Sequence, residues 1–320
     1  MLLDIKELSV EFASMQGNVK ALQNISFSIE KGEIVGIVGE SGSGKSVTAL
    51  TILGLLEKNA SITSGSILYK GRDVLGMDKK EQQALRGKEI GMVFQEPMTA
   101  LHPTMKIGDQ LAEVIRRHRK LSHKEAYQAG IKSLAEVHIH DPELVARKYP
   151  FELSGGMRQR VVIALAMAAP PDLLIADEPT TALDVTIQHE ILKLMEELSA
   201  NRGTAIMFIT HDLGVVAQMC KRVIVMYAGE IVEQGETYQV LQQPVHPYTR
   251  ALIGALPDLA DPDEPLLAIP GESPDLRKRP AGCVFASRCA QAIPLCLDES
   301  PGLEPVEQQQ VSHYAACWVR

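Results

Sequence analysis

A short glycine-rich stretch carries the clearest chemical signal in this sequence. It follows the pattern G-x-x-x-x-G-K-[S/T] and consists of Gly39, Glu40, Ser41, Gly42, Ser43, Gly44, Lys45 and Ser46. Glycines let such a loop curl so that successive backbone N–H groups point at a phosphate group. The lysine can then reach the terminal phosphates, and the serine hydroxyl is placed to ligate Mg²⁺. The alternative is a Gly/Ser turn that carries a surface lysine.

The segments on either side of this loop favour phosphate binding. Residues 34–38 are apolar and predict a buried parallel strand, and residues 47–56 predict a helix packed into a core. The N-terminus of such a helix carries a partial positive charge that stabilises a bound anion. Strand, loop and helix therefore occur in the order that a nucleotide-binding loop requires.

Three later apolar segments, each a predicted strand, end in side chains suited to phosphate chemistry. These side chains are those of Gln95, of Asp177 with Glu178, and of His211. In a doubly wound sheet, ligands bind at the carboxyl ends of the strands. We expect Asp177 and Gln95 to hold Mg²⁺, directly or through water, and Glu178 to polarise the attacking water. Plain polar strand ends are the alternative for Gln95 and His211.

A second glycine-rich helix start is present at Ser154, Gly155 and Gly156. Its backbone N–H groups can also hold an anion. It follows residues 106–149, whose apolar positions have helical spacing and whose other positions are often charged. This pattern predicts a helical insertion in an α/β domain.

The first part of the chain, residues 2–33, alternates apolar and polar positions. This period of two predicts strands with one covered face, most simply an antiparallel pair. Phe12 lies in this region. Its ring is suited either to the core or to stacking on a purine.

Length and composition limit the class of protein. The chain has 320 residues, is 45% hydrophobic and carries a net charge of −8, which allows one large domain with an appendage or two domains. No basic face is evident, so nucleic acid is not an expected partner. Neither a signal-peptide pattern nor an apolar run of about 18 residues is present. We therefore expect a cytosolic chain.

Four of the five cysteines lie in the final part of the chain. They are Cys283, Cys289, Cys296 and Cys317. Their spacing lacks the closely spaced cysteine pairs of structural zinc sites. Four thiolates in a loop-rich cytosolic segment suit a [4Fe–4S] cluster, with zinc or four unrelated thiols as alternatives. The fifth, Cys220, is predicted to be a small core residue.

The order and spacing of these motifs resemble those of the nucleotide-binding subunits of ABC transporters, over residues 1 to about 240. The resemblance implies that two such domains pair head to tail, with ATP between the phosphate loop of one and Ser154, Gly155 and Gly156 of the other. The resemblance also implies roles for five residues. They are general base for Glu178, γ-phosphate contact for His211, sensor of transmembrane partners for Gln95, adenine stacking for Phe12 and coupling of the two ATP sites for Asp184.

The last part of the chain, from residues 246–249 onward, resembles the C-terminal region of the oligopeptide/dipeptide/nickel importers. Residues 95–103 also resemble that group, although Glu96 and His102 replace its usual aspartate and asparagine. The resemblance implies an ATPase that powers peptide import, with import of nickel, a metallophore or another small solute as the alternative. A soluble ABC ATPase outside transport is the alternative from a different class.

The resemblance also implies the partners and location of the chain. The partners are a second, paralogous ATPase subunit, two transmembrane permeases and an extracytoplasmic substrate-binding protein. The location is the cytoplasmic face of the inner membrane, with peripheral attachment.

The fold expected from these patterns is α/β. A P-loop NTPase domain occupies residues 1–240 and contains a mainly parallel core sheet, an antiparallel β subdomain and a helical subdomain at about residues 100–165. A small loop-rich cysteine domain occupies residues 241–320. The expected cofactors are ATP, Mg²⁺ and a [4Fe–4S] cluster.

Overall fold

The computed structural model describes residues 1–181, 183–255, 269–306 and 312–319. Its strands are β1 (Leu3–Phe12), β2 (Val19–Ile29), β3 (Ile34–Val38), β4 (Ala60–Tyr69), β5 (Arg72–Asp73), β6 (Ile90–Val93), β7 (Leu173–Asp177), β8 (Ala205–Thr210), β9 (Arg222–Tyr227), β10 (Glu230–Glu236), β11 (Glu304–Pro305) and β12 (His313–Ala315). Its α-helices are α1 (Lys45–Ile52), α2 (Lys79–Leu85), α3 (Pro97–Ala100), α4 (Ile107–His118), α5 (His123–Glu136), α6 (Pro142–Ala146), α7 (Gly155–Ala166), α8 (Val185–Arg202), α9 (Leu213–Met219), α10 (Thr237–Gln242), α11 (Pro247–Gly254) and α12 (Leu295–Asp298).

The chain divides into two compact units, and both combine strands with helices. The first unit consists of Met1–Ile29, Ile34–Gly76 and Thr210–Arg320, and the second consists of Glu30–Glu33 and Met77–Ile209. The predicted cysteine domain belongs to the first unit, although residues 256–268, 307–311 and 320 lie outside the described part. A domain boundary near residue 240 stays a prediction.

An antiparallel sheet in the first unit confirms the predicted β region. Its strand order is β2-β1-β4-β5. Leu3, Ile5, Leu8 and Val10 of β1 are buried, and the strand shifts register between Ile5 and Leu8. The shift explains why two buried residues are three positions apart, although a regular strand alternates every two.

The first unit also holds β3, the strand that leads into the phosphate loop. It pairs in parallel with β9, and β9 continues through the antiparallel strands β10, β12 and β11. The helix after the loop begins at Lys45, two positions earlier than its apolar pattern predicts, because Gly44 with φ 102° already acts as its N-cap. The last segment of the chain, through β12, adds a strand to this part of the molecule.

Parallel strands and helices make up the second unit. β7 pairs in parallel with β6 and with β8, and all five residues of β7 are buried. The predicted helical insertion is present as α4, α5 and α6. Ser122 and Glu125 form a capping box at the start of α5, which satisfies backbone N–H groups that the helix leaves open.

No helix within the described ranges combines the length and the hydropathy that a membrane-spanning segment requires.

Candidate functional site

The phosphate loop of the first unit can form only with glycine at two positions. Gly39 has φ 153°, and a Cβ placed there would collide with the main-chain carbonyl oxygen of Met226. Gly44 has φ 102°, and its Cβ would lie 2.6 Å from the side chain of Leu22. Both positions combine a left-handed backbone with a close approach, so a side chain at either would distort the loop.

The cation of the loop is held inside it. The Nζ of Lys45 donates hydrogen bonds to the carbonyl oxygens of Gly39 at 2.8 Å and Glu40 at 2.9 Å. Ser46 is exposed on the first turn of α1. The curled backbone, the ammonium group and the exposed hydroxyl fit the phosphates and Mg²⁺ of a nucleotide. Lys45 would exchange carbonyl oxygens for phosphate oxygens when a nucleotide binds.

Two further predicted site residues lie in the first unit. His211 is exposed directly after β8, and Asp212 next to it caps α9 by accepting hydrogen bonds from the N–H groups of Gly214 and Val215. Phe12 is the last residue of β1 and is half-buried. This placement is compatible with an exposed ring face, and the adenine contact of Phe12 stays a prediction.

The paired acids of the second unit lie at the end of β7. Asp177 is the buried last residue of the strand, and Glu178 follows it with φ 46°. Positive φ is uncommon for residues other than glycine, and strained backbone of this kind concentrates at functional sites. The Oε2 of Glu178 accepts hydrogen bonds from the Nε2 of Gln95 at 3.0 Å and from the hydroxyl of Thr181 at 2.8 Å. The structure therefore brings two predicted residues, Gln95 and Glu178, into direct contact.

The second glycine-rich helix start is exposed. Ser154 caps α7 by accepting a hydrogen bond from the N–H of Met157 at 3.3 Å, and both Ser154 and Gly155 face solvent. A Cβ on Gly156 would lie 2.8 Å from the side chain of Ile187, whereas Gly155 has room for one. Packing within the chain thus explains the glycine at 156 but not the glycine at 155.

Four cysteine side chains converge in the first unit. Cys283, Cys289, Cys296 and Cys317 line one cavity of about 10 Å³, which is about the space of one water molecule. The pKa of the Cys283 thiol is raised to about 11, mainly by burial and in addition by the neighbouring Cys296 and Cys317. Burial also raises the pKa of Cys289. These thiols therefore stay protonated at neutral pH unless a bound cation stabilises their thiolates.

The convergence of the thiols does not by itself show a metal centre. Within the described ranges, no group of three or more His, Cys, Asp or Glu side chains is arranged to hold a metal ion. None of the five cysteines forms a disulfide, and all five lie in the part that the structure describes. Cys220 is buried, as expected for a core residue.

Three contacts to Glu40 have no local signal in the sequence. Tyr248, Ser273 and Arg288 all bond to this residue of the phosphate loop. Between 208 and 248 positions of sequence separate the partners. Thr181 likewise contacts Glu178, a role that its position in the sequence did not indicate.

Comparison with known proteins decides the family. Residues 22–181 match the family model described as ABC transporter. The chain is 49% identical over 320 residues to a probable peptide ABC transporter ATP-binding protein of Sinorhizobium fredii, and the match covers 99% of this chain and 95% of the relative. This chain belongs to the ABC transporter family.

The C-terminal part of this ABC subunit has its own match. Residues 232–296 match the model described as oligopeptide/dipeptide transporter, C-terminal region. The subunit is 48% identical to the dipeptide transport ATP-binding protein DppD of Lactococcus lactis, with 99% of this chain and 90% of the relative covered. It is also 48% identical to the oligopeptide transport ATP-binding protein OppD of Bacillus subtilis, with 99% and 88% covered.

Solved structures confirm the predicted fold of the ABC subunit. It resembles the dimeric ATP-binding cassette MJ0796 bound to ADP and Pi, with TM-score 0.66 and 28% identity over 73% of this chain and 98% of that one. It also resembles cbiO1 of Clostridium perfringens, part of the transporter complex cbiONQ, with TM-score 0.65 and 30% identity over 76% of this chain and 91% of that one. The family predicted from the sequence motifs is confirmed by the family models and the relatives described above.

Proposed function

We propose that this ABC subunit hydrolyses ATP to power the import of dipeptides or oligopeptides through a membrane transporter. The observation that carries this proposal is the similarity of the whole chain to ATP-binding proteins named for peptide transport. The match of residues 232–296 to the oligopeptide/dipeptide region supports the same substrate class.

The site residues of each unit have their own proposed roles. In the first, the loop N–H groups and Lys45 bind the phosphates, and Ser46 ligates Mg²⁺. In the second, Asp177 holds Mg²⁺ and Glu178 takes a proton from the attacking water. The hydrogen bonds from Gln95 and Thr181 support this role, because they hold the carboxylate in one orientation.

The remaining predicted residues complete the proposed site. Gln95 also contributes a Mg²⁺ contact and His211 contacts the γ-phosphate and orients the water. Phe12 stacks on adenine. These roles follow the family pattern, and the exposure of Gln95 and His211 supports them because it leaves both side chains accessible to a bound nucleotide.

A second ATPase subunit, a paralogue, completes the proposed assembly in head-to-tail orientation. The exposed Ser154 and Gly155 support this, because no contact within the described residues explains why position 155 needs glycine. A partner's bound nucleotide approaching that backbone would explain it. We expect Gly155→Ala to inactivate the ATP site formed with the partner's phosphate loop and to leave the other site active. Equal loss at both sites would contradict the arrangement.

Two permeases dock on the second unit in this proposal, and an extracytoplasmic substrate-binding protein delivers the peptide. Exposed apolar side chains of the second unit support it, namely Phe94 at 39%, Met98 at 44% and Phe151 at 65% exposure. Such docking places the subunit peripherally on the cytoplasmic face of the inner membrane.

We also propose that the four converging cysteines hold one [4Fe–4S] cluster with a structural role. The cavity that the four cysteines share supports their assignment as the iron ligands. Bonds between iron and the thiolates would offset the cost of deprotonating thiols whose pKa is raised. The cavity is smaller than a cluster, so the thiols must move outward on loading. Anaerobically purified chain should carry about four irons, and one zinc per chain or metal-free thiols would contradict the proposal.

The transport proposal is tested with the subunit in complex with its permeases. ATP hydrolysis by this complex in proteoliposomes should rise when substrate-binding protein loaded with peptide is added to the side of the vesicle opposite the ATPase. Stimulation by nickel or a metallophore instead would assign the substrate to the alternative class. Hydrolysis without any association with permeases would favour a soluble ABC ATPase.

A further inference from the structure

The phosphate loop contains an acidic residue at a position where charge matters. Glu40 lies between Gly39 and Ser41 in a loop whose task is to bind a polyanion. A carboxylate close to phosphate groups repels them, and the repulsion grows where water is excluded. The carboxylate of Glu40 must therefore be neutralised for the loop to bind a nucleotide well.

Arg288 supplies the neutralising charge. It lies in the C-terminal extension, the part of the chain from residue 241 onward. Its Nη1 donates to the Oε2 of Glu40 at 2.9 Å, and its Nη2 donates to the Oε1 at 3.2 Å. The hydroxyl of Ser273 donates to the same Oε2 at 2.9 Å. The side chain of Arg288 is only 6% exposed and that of Glu40 27%, so this two-bond pair is stronger than a surface ion pair.

Arg288 is itself fixed in place by the first unit. Its Nε donates to the carbonyl oxygen of Pro270 at 2.8 Å, and its Nη1 also donates to the hydroxyl of Tyr227 at 3.1 Å. The guanidinium group lies over the rings of Tyr227 and Phe285. Burial alone would lower the pKa of Arg288, but the bonds to Glu40 and Tyr227 raise it, so the cation is permanent.

The backbone of Glu40 is held from the same side. Its N–H donates to the hydroxyl of Tyr248 at 2.9 Å. The Tyr248 ring packs against Tyr227 at 4.6 Å and Phe285 at 5.5 Å between ring centroids. Side chain and main chain of this loop residue thus both depend on residues that follow the predicted ABC domain.

We propose that Arg288 is a positioning residue for nucleotide binding, which neutralises Glu40 and, together with Tyr248, ties the C-terminal extension to the phosphate loop. This inference rests on the proposed ATPase function. It assigns the extension a direct part in setting ATP affinity, in addition to any role in binding metal or partners.

The test measures the affinity of the full chain for a fluorescent MgATP analogue. Arg288→Gln should weaken binding about tenfold, the effect of about 1.4 kcal/mol that the loss of one half-buried charge pair produces. Arg288→Lys keeps the charge but not the two-bond geometry, so it should lose less affinity than Arg288→Gln. The double variant Glu40→Gln with Arg288→Gln should bind within about twofold of Glu40→Gln alone, because no carboxylate is left to neutralise.

Arg277→Gln is the matched control, since Arg277 lies in the same extension but pairs with Asp275. It should leave the affinity unchanged. Unfolding temperatures of all variants separate an affinity change from a loss of fold, and Arg288→Lys serves where the glutamine variant does not fold. Wild-type affinity in Arg288→Gln would overturn the inference, as would a loss that persists in the double variant. A wild-type chain that does not bind MgATP would instead contradict the proposed function.

Discussion

Replacing Glu178 by glutamine should separate the chemical step from nucleotide binding. In the structure, its Oε2 accepts hydrogen bonds from Gln95 at 3.0 Å and Thr181 at 2.8 Å. The amide oxygen of glutamine can accept the same two bonds, so the side chain keeps its position while its basicity disappears. Removing a general base costs about 10²–10⁴ in rate, or about 2.7–5.4 kcal/mol of activation free energy. We expect kcat to fall by that factor.

The affinity of the Glu178→Gln variant for MgATP should be nearly unchanged. Glutamine is no more strained than glutamate at φ 46°, because both side chains are unbranched at Cβ and have nearly the same shape. The assay compares phosphate release and MgATP affinity in one preparation of the transporter complex. Glu197→Gln is the matched control, since Glu197 lies on α8 and pairs with His138 at 3.3 Å. A Glu178→Gln complex with kcat within about threefold of wild type would refute the role of Glu178 as base.

Further substitutions probe the loop, the support of the base and a titrating side chain. Gly39→Ala should abolish MgATP binding, because its Cβ collides with a main-chain carbonyl, whereas Gly42→Ala has open space and should have a milder effect in the same binding assay. Thr181→Val should lower kcat about tenfold through loss of one 2.8 Å hydrogen bond to the base, and the serine variant should restore most of it in phosphate-release measurements. Burial and then the charge of Arg117 lower the pKa of His118, so Arg117→Gln should raise that pKa in an NMR titration. Because the folded state disfavours protonated His118, stability should decline as pH falls below about 6.5, the ordinary value, and through the lower pKa of the folded state.

Local sequence patterns were sufficient to predict the phosphate loop and the polar strand ends. The loop is recognisable because its glycines and Lys45 have fixed spacing, and the apolar run of β3 needs no partner to be identified. Gln95 and Glu178 were predicted to face the same edge because each follows a strand of a doubly wound sheet. In the structure β6 and β7 are parallel neighbours, and the two side chains are in contact. Each of these inferences depends on residues close in sequence or on the geometry of a parallel sheet.

The contacts of Glu40 could not be predicted in the same way. Tyr248 and Arg288 reach it across 208 and 248 positions, and no periodicity links residues so far apart. Both side chains are placed by contacts with the rings of Tyr227 and Phe285, which are products of tertiary packing. The cysteines show the intermediate case. Their spacing suggested one site, but only the folded chain shows that all four side chains line one cavity.

Peptide uptake into proteoliposomes tests directly whether ATP hydrolysis by this subunit powers peptide import. The vesicles contain the subunit, its partner ATPase and both permeases, with ATP on the side of the ATPase and peptide-loaded binding protein on the other. We expect labelled peptide to cross only with hydrolysable ATP, and we expect Glu178→Gln to stop uptake while the complex still binds MgATP. Peptide uptake that continues without ATP hydrolysis, or ATP-driven uptake of another solute with no uptake of peptide, would contradict it.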